Sequence, residues 1–243
     1  AAEYHHFGYA GYERNTTPHL EELARQGVRF DHAVARAPWT LPSTLSIVTG
    51  LGPTQHTVEL RSRRLPSDIR VLAEEFEAAG YATGGFTAHR FLSRTYGHHR
   101  GFDEFVSMKP DTRARQVVDR GIAFLKEHAD ERTFLMIHVF DPHWPYWAPE
   151  RFRKRFVDEE VPKKYGSFGF LRKYSVPGRD IPPEALQRTL GLYDAEIAYT
   201  DRQIGRLMAF LERERRLKDT IFVVTSDHGE EFGEHGGRYH GTT

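Results

Sequence analysis

Apolar residues recur along this chain in two alternating rhythms. Over residues 16–27, TTPHLEELARQG, a Thr precedes Pro, then Leu20, Leu23 and Ala24 share one face and Gly27 closes the run. That is the pattern of a short helix with a Thr cap. Residues 67–79, 113–128 and 184–213 carry the same helical spacing, the first of them ended by Gly80. A continuously apolar stretch follows each: YATGGFTA at 81–88, TFLMIHVF at 133–140 and TIFVVTSD at 220–227. Residues 28–35 alternate apolar and polar side chains and predict another strand, leading through a Pro-rich turn at 37–42 to a helix at 43–49. Continuously apolar strands separated by helices imply an α/β fold, a mainly parallel sheet covered on both faces. In such sheets functional sites collect beyond the carboxyl ends of the strands. Residues 144–183 break the rhythm; rich in Pro, aromatic and basic residues, they predict either a lid over the site or an irregular insertion.

Composition narrows the classes of function. A chain of 243 residues is long enough for one large domain with a sizeable core, and 39% apolar residues exclude a disordered chain. Basic and acidic residues balance at 34 each, so no net field draws the chain to nucleic acid, and no membrane contact is indicated in this segment. Cys is absent, which excludes disulfides, thiolate zinc sites and a Cys nucleophile and leaves the compartment open. Ala1 is not preceded by a leader here, and an exported or membrane-tethered protein would carry such a segment upstream. Nothing in the pattern fixes an oligomeric state. The 14 His residues are the departure that calls for chemistry, since imidazole is a common metal ligand.

Three polar clusters fall at or just beyond the ends of expected elements: Trp39 to Ser43, Phe140 to His143, and Ser226 to Gly229. A hydroxyl at a helix N-terminus lies at the positive end of the dipole beside free N–H groups, which also suits an anionic substrate. Thr40 or Ser43 is therefore either a nucleophile or simply a helix cap. Asp227 and His228 place a hard oxygen and an imidazole at a strand exit, either as metal ligands or as an ordinary turn. The segment GEEFGEHGGRYHG at 229–241 crowds Glu230, Glu231, Glu234, His235 and His240 among glycines. Its acidic residues read as a solvated loop more readily than as ligands.

The run APWTLPSTLSIVTGLGPTQHTV resembles the signature of the sulfatase family, a branch of the alkaline phosphatase superfamily, in which a nucleophile precedes x-Pro-Ser, Leu-x-Thr-Gly and a His. GYERNTTPHLEELARQGVRF, AAGYATGGF, RGFDEF, DPHWPY, LYDAEIAYTDRQIGRL and TSDHGEEFGEHGG resemble the same family in the same order. The resemblance implies an alkaline-phosphatase-like sandwich and in-line displacement at sulfur or phosphorus. It puts Thr40 at the nucleophile position and as a metal-bridging oxygen, Asp227 and His228 at the metal-ligand pair, and His143 against a substrate oxygen or leaving group. His56 and His240 match further catalytic candidates. The implied cofactor is a divalent cation, calcium by preference, with manganese and zinc as alternatives. The implied partner is a small-molecule, carbohydrate or lipid ester, with Trp144, Tyr146 and Trp147 as candidate walls for a ring.

The departures from the family are equally specific. Sulfatases convert a Cys or Ser to formylglycine, a route closed to Thr40 by its β-methyl group, so phosphodiesters, phosphonates and phosphoryl transfer rise as substrates. Thr44 stands where the family carries an Arg, and FTAHRF at 86–91 replaces a segment that contributes a Lys and a His, leaving His89 or Arg90 as substitutes. The family also opens with a strand bearing metal-binding aspartates ahead of the stretch matching Tyr4 to Tyr12, and continues past Thr243. Residues 1–243 are thus expected to be a single catalytic domain incomplete at both termini, with Asp31, Asp141 and His143 as stand-in ligands and Asp141, before Pro, equally readable as a turn-former. A pseudoenzyme that keeps the fold for binding is the non-catalytic alternative.

Overall fold

The computed structural model describes residues 2–110, 112–158, 160–174, 179–234 and 240–241. In chain order its longer elements are α1 (Pro18–Gln26), α2 (Thr40–Thr49), α3 (Pro53–His56), α4 (Leu72–Ala78), β1 (Ala82–Thr87), β2 (Glu104–Ser107), α5 (Ala114–Glu127), β3 (Thr133–His138), α6 (Glu150–Arg153), α7 (Phe168–Lys173) and α8 (Pro183–Arg213). They form two compact units, Ala35–Phe140 and the pair of segments Ala1–Val34 and Asp141–Thr243.

In Ala35–Phe140 the strands form a parallel sheet in the order β2-β1-β3, with Gly84 opposite both Glu104 and Leu135. β1 is buried at every position, as its unbroken apolar run requires. Helices cover both faces. On one, α5 packs against β1 and β3; a Cβ on Gly84 would stand 2.9 Å from the Phe124 ring, and one on Gly121 would stand 2.5 Å from Ile137. On the other, Phe76 of α4 stacks on Phe134 with centroids 4.3 Å apart. Alternation along β3 explains the split, since Phe134 points opposite to Leu135 and Ile137. Leu41 and Leu45 of α2 are buried against Val58, Val71 and Phe91.

The other unit is organised by α8, a helix of 31 residues against which α1 and α6 pack. Its buried Leu192, Tyr193 and Ile197 meet Tyr146, Leu171 and Phe232. Two carboxylates of α8 tie down the N-terminal segment. Asp194 accepts from His6 Nδ1 (2.6 Å), the Tyr12 hydroxyl (2.8 Å) and Arg14 (2.8 Å). Asp201 accepts from the backbone N–H of His19 (3.2 Å) and Leu20 (2.9 Å), and so caps α1. The cap expected of a Thr is thus supplied across space: Thr17 makes no capping bond, and its hydroxyl accepts from Gly8 N instead.

Two expected strands are absent. Residues 28–35 and 220–227 form no ladder among the described residues, and their apolar side chains are exposed, with Phe30 at 77% and Ile221 at 95%. Apolar patterning records a side chain's preference for burial, whereas a strand also needs a neighbour for its N–H and C=O groups, and no described segment pairs with these two. β2 and α3 were not anticipated; both are only four residues long. Residues 144–174 contain α6 and α7 and contribute Tyr146 and Leu171 to the core. No helix among the described residues is long and apolar enough to cross a membrane.

Candidate active site

In Ala35–Phe140 the helix α2 presents Thr40 as its first residue. The capping position falls to Trp39, in extended conformation and without a side-chain capping bond. Neither Thr40 nor Ser43 is the cap, and both are buried. The Thr44 hydroxyl bonds the Thr40 carbonyl (2.7 Å) and the ring of His98 (3.0 Å). His56 is fully buried: Val58 N donates to its Nδ1 (3.2 Å), and Nε2 reaches the Pro42 carbonyl (3.2 Å) and Ser46 Oγ (3.1 Å). Burial pushes its pKa down. Nε2 of His56 therefore serves the packing of α2, and Nδ1 holds the chain just after α3. His89 is buried beside His138 and Phe140, whereas Arg90 is exposed over the Phe91 ring.

The other unit holds His143, Asp227, His228 and His240. The His240 ring lies 4.4 Å from that of His228 and 5.0 Å from that of His143, centroid to centroid. Each imidazole has its Nδ1 committed to an oxygen that can only accept: the Trp144 carbonyl (2.7 Å) for His143, the Gly229 carbonyl (2.9 Å) for His228 and Glu230 Oε1 (2.9 Å) for His240. The hydrogen must then sit on Nδ1, and the neutral rings of His143 and His228 carry their lone pair on Nε2. Burial, ahead of all other causes, holds the pKa of His143 and of His228 down to about 3. Both are neutral at pH 7.

Glu230 was passed over in the sequence because it opens an acidic run. Its carboxylate is fully buried and held from two sides, by the Tyr146 hydroxyl (2.8 Å) and by His240. Burial and then the Glu230 charge push the Tyr146 pKa up, so Tyr146 stays a donor. No local sequence signal singled it out, since the neighbouring Glu231 is buried as well. Glu234 instead accepts from Phe232 N, and His235 lies outside the described residues.

A divalent cation was the cofactor implied by the sequence. His228 Nε2 and Asp227 Oδ2 stand 3.3 Å apart, two electron-rich atoms facing each other, an arrangement that gains from a cation between them. The pair therefore fits part of an ion's shell. Among the described residues no group of three His, Asp or Glu side chains is assembled at ligand spacing, whereas hard divalent ions take about six ligands. Asp31 is not a stand-in ligand: it is exposed and tied to Arg29. Asp141 is buried at the start of the segment that carries His143.

A parallel sheet with helices on both faces defines an α/β protein of the alkaline-phosphatase-like class. The sulfatase family matches residues 1–243, and the chain belongs to that family. It is 27% identical to an ulvan-active sulfatase from Formosa agariphila, over 93% of this chain and 48% of that protein. It is 23% identical to a phosphoethanolamine transferase from Helicobacter pylori, over 99% of this chain and 42% of that protein. The chain thus spans about half the length of the curated relatives it matches. The phosphonate monoester hydrolase of Agrobacterium radiobacter shares the fold, with a TM-score of 0.76 at 19% identity, covering 99% of this chain and 64% of that one.

Proposed function

We propose that the whole protein hydrolyses sulfate- or phosphate-type esters with a divalent cation, using Thr40 as the nucleophile. The observation that carries this reading is the gathering of the His143, His228 and His240 rings, each held through Nδ1 by an oxygen, with the Asp227 carboxylate 3.3 Å from His228 Nε2. Thr40 begins α2, where the helix dipole favours an anion and an oxygen nucleophile. Phosphodiesters and phosphonates are favoured among the esters, because an unmodified Thr attacks directly.

Asp227 and His228 would hold the ion, together with the Thr40 oxygen. Bound there, a calcium, manganese or zinc ion supplies Lewis-acid polarisation of the ester and a lower pKa for the attacking hydroxyl. Thr40 Oγ displaces the alcohol in line and carries the sulfuryl or phosphoryl group as an ester, which water then cleaves. His240, with Glu230 behind its Nδ1, would take up on Nε2 the proton that the Thr40 hydroxyl loses and pass it to the departing alcohol oxygen. His143 stays neutral and accepts or orients a hydrogen through Nε2. Trp147 is flanked by Arg153 and Lys163, and Tyr146 is committed to Glu230, so Trp144, stacked on Phe168, is the aromatic wall best suited to a substrate ring.

The Thr nucleophile also supports transfer, in which the Thr40 ester passes a phosphoryl head group to an acceptor other than water. The test is an assay of the full-length protein with each ion against an aryl sulfate, a phosphodiester and a phosphonate ester. Thr40→Ala should cut kcat by about 10³-fold or more, while Thr40→Ser retains measurable turnover. Activity only with an added alcohol acceptor selects transfer. Silence on all three esters ends the hydrolytic reading, and if metal binding is also absent the protein is a binding module on a sulfatase fold.

A further inference from the structure

We infer that His98 is a positioning residue for the start of α2 and acts through Thr44; its bearing on turnover rests on the reading of Thr40 as nucleophile. Thr44 has one hydroxyl hydrogen. That hydrogen goes to a backbone carbonyl, Thr40 O at 2.7 Å or Leu41 O at 3.3 Å, and the shorter contact takes it. A carbonyl only accepts, so the hydroxyl lone pair must in turn accept from His98 Nε2 at 3.0 Å. The order of donors is thereby fixed from His98 Nε2–H to the Thr44 hydroxyl to the Thr40 carbonyl.

Burial makes this relay rigid. Thr44 and His98 are both buried, so water does not compete for either bond. His98 Nδ1 is buried with no hydrogen-bond partner, which agrees with the hydrogen on Nε2, since a buried lone pair costs less to leave unpaired than a buried N–H. Burial, with His138 and His99 adding to it, holds the His98 pKa down to about 3, and the ring remains a neutral donor.

The loop that carries His98 is pinned on both sides. Gly97 has φ +96°, and Gly101, at φ +72°, passes so close to α4 that a Cβ would fall 2.2 Å from Glu74 N. Arg100 between them bonds the Pro66 and Ile69 carbonyls and pairs with Glu74. A fixed loop thus delivers a fixed donor to the hydroxyl that holds the first peptide of α2. A shift of about 1 Å at that peptide would move the Thr40 oxygen out of line, a displacement that costs roughly 10²-fold in rate.

The full-length protein tests this with paired substitutions. Thr44→Val and His98→Leu remove the relay, while Thr44→Ser and His98→Gln keep a donor in each place. We expect the first two to lower kcat on a phosphonate monoester by about 10- to 100-fold, with KM within about twofold and the double variant no worse than the poorer single. The conservative pair should recover most of that loss. Independently of turnover, the nitrogen NMR signals of His98 should report Nε2–H with no titration between about pH 5 and 8, and amide exchange at the first turn of α2 should quicken in Thr44→Val alone. An Nδ1–H ring, a titration near neutrality, or full kcat in Thr44→Val overturns the relay. If the wild-type protein turns over no ester, the function proposed above fails, and the ring signals with the exchange rates still decide the relay.

Discussion

Glu230 has a donor at each carboxylate oxygen, the Tyr146 phenol at one and the His240 ring at the other. That arrangement fixes which nitrogen of His240 faces outward and sets a negative charge behind any proton the ring receives. Glu230→Gln would replace one acceptor by an amide N–H that meets one of the two donors head-on. We expect kcat for an alkyl ester to fall by about 10²-fold and kcat for a nitrophenyl ester to fall far less, because a good leaving group needs no proton. A series of esters with graded leaving-group acidity measures this, and an unchanged slope across the series removes His240 from that role. The sequence made His143, Asp227, His228 and His240 legible as motif members. It hid Glu230 because a run of acids between glycines gives no sign of which one turns inward; that is decided by Tyr146 from a distant segment. Thr44 and His98 were legible only as departures or not at all, since a bond between residues 54 apart leaves no local trace.

Among the elements, α8 carries the largest structural burden through two buried carboxylates. Asp194 has no exposed side-chain surface and meets three donors of the N-terminal segment. Asp194→Ala would leave His6, Tyr12 and Arg14 without their shared acceptor, and the expected loss is about 3–5 kcal/mol in denaturant unfolding. Asp194→Asn, which keeps the shape and an acceptor, should lose less; equal losses would show that the charge, which both substitutions remove, rather than shape matters there. Helices α1, α5 and α8 could be read from spacing because one face of each is apolar over several turns. β1 and β3 were readable because burial on both faces makes them continuously apolar. The same rule failed at 28–35 and 220–227, whose patterns are as strong but whose ladder partners are missing from the described residues. α1 shows the complementary failure: its boundary was read correctly for the wrong reason, since Asp201 and not Thr17 satisfies its first N–H groups.

For the molecule as a whole, the exposed apolar side chains of residues 28–34 and 220–224 predict behaviour in solution. Val28, Phe30, Val34, Ile221 and Val223 are among the most exposed large apolar residues, and such stretches promote association. Ile221→Thr combined with Val223→Lys should reduce self-association of this chain in light scattering while leaving its thermal midpoint within about 1 °C. A clear drop in midpoint would mean that these side chains are packed in solution. The two units also differ in how the chain builds them. Ala35–Phe140 is one uninterrupted stretch, whereas its neighbour is split between Ala1–Val34 and Asp141–Thr243. During synthesis the uninterrupted unit has all its residues before the split one does, and at about 5–20 residues per second the first 34 residues wait roughly 8–32 s for Asp194 of α8 to be made. In that interval His6, Tyr12 and Arg14 have no Asp194 to bind, so the first segment stays without its anchor until α8 is made.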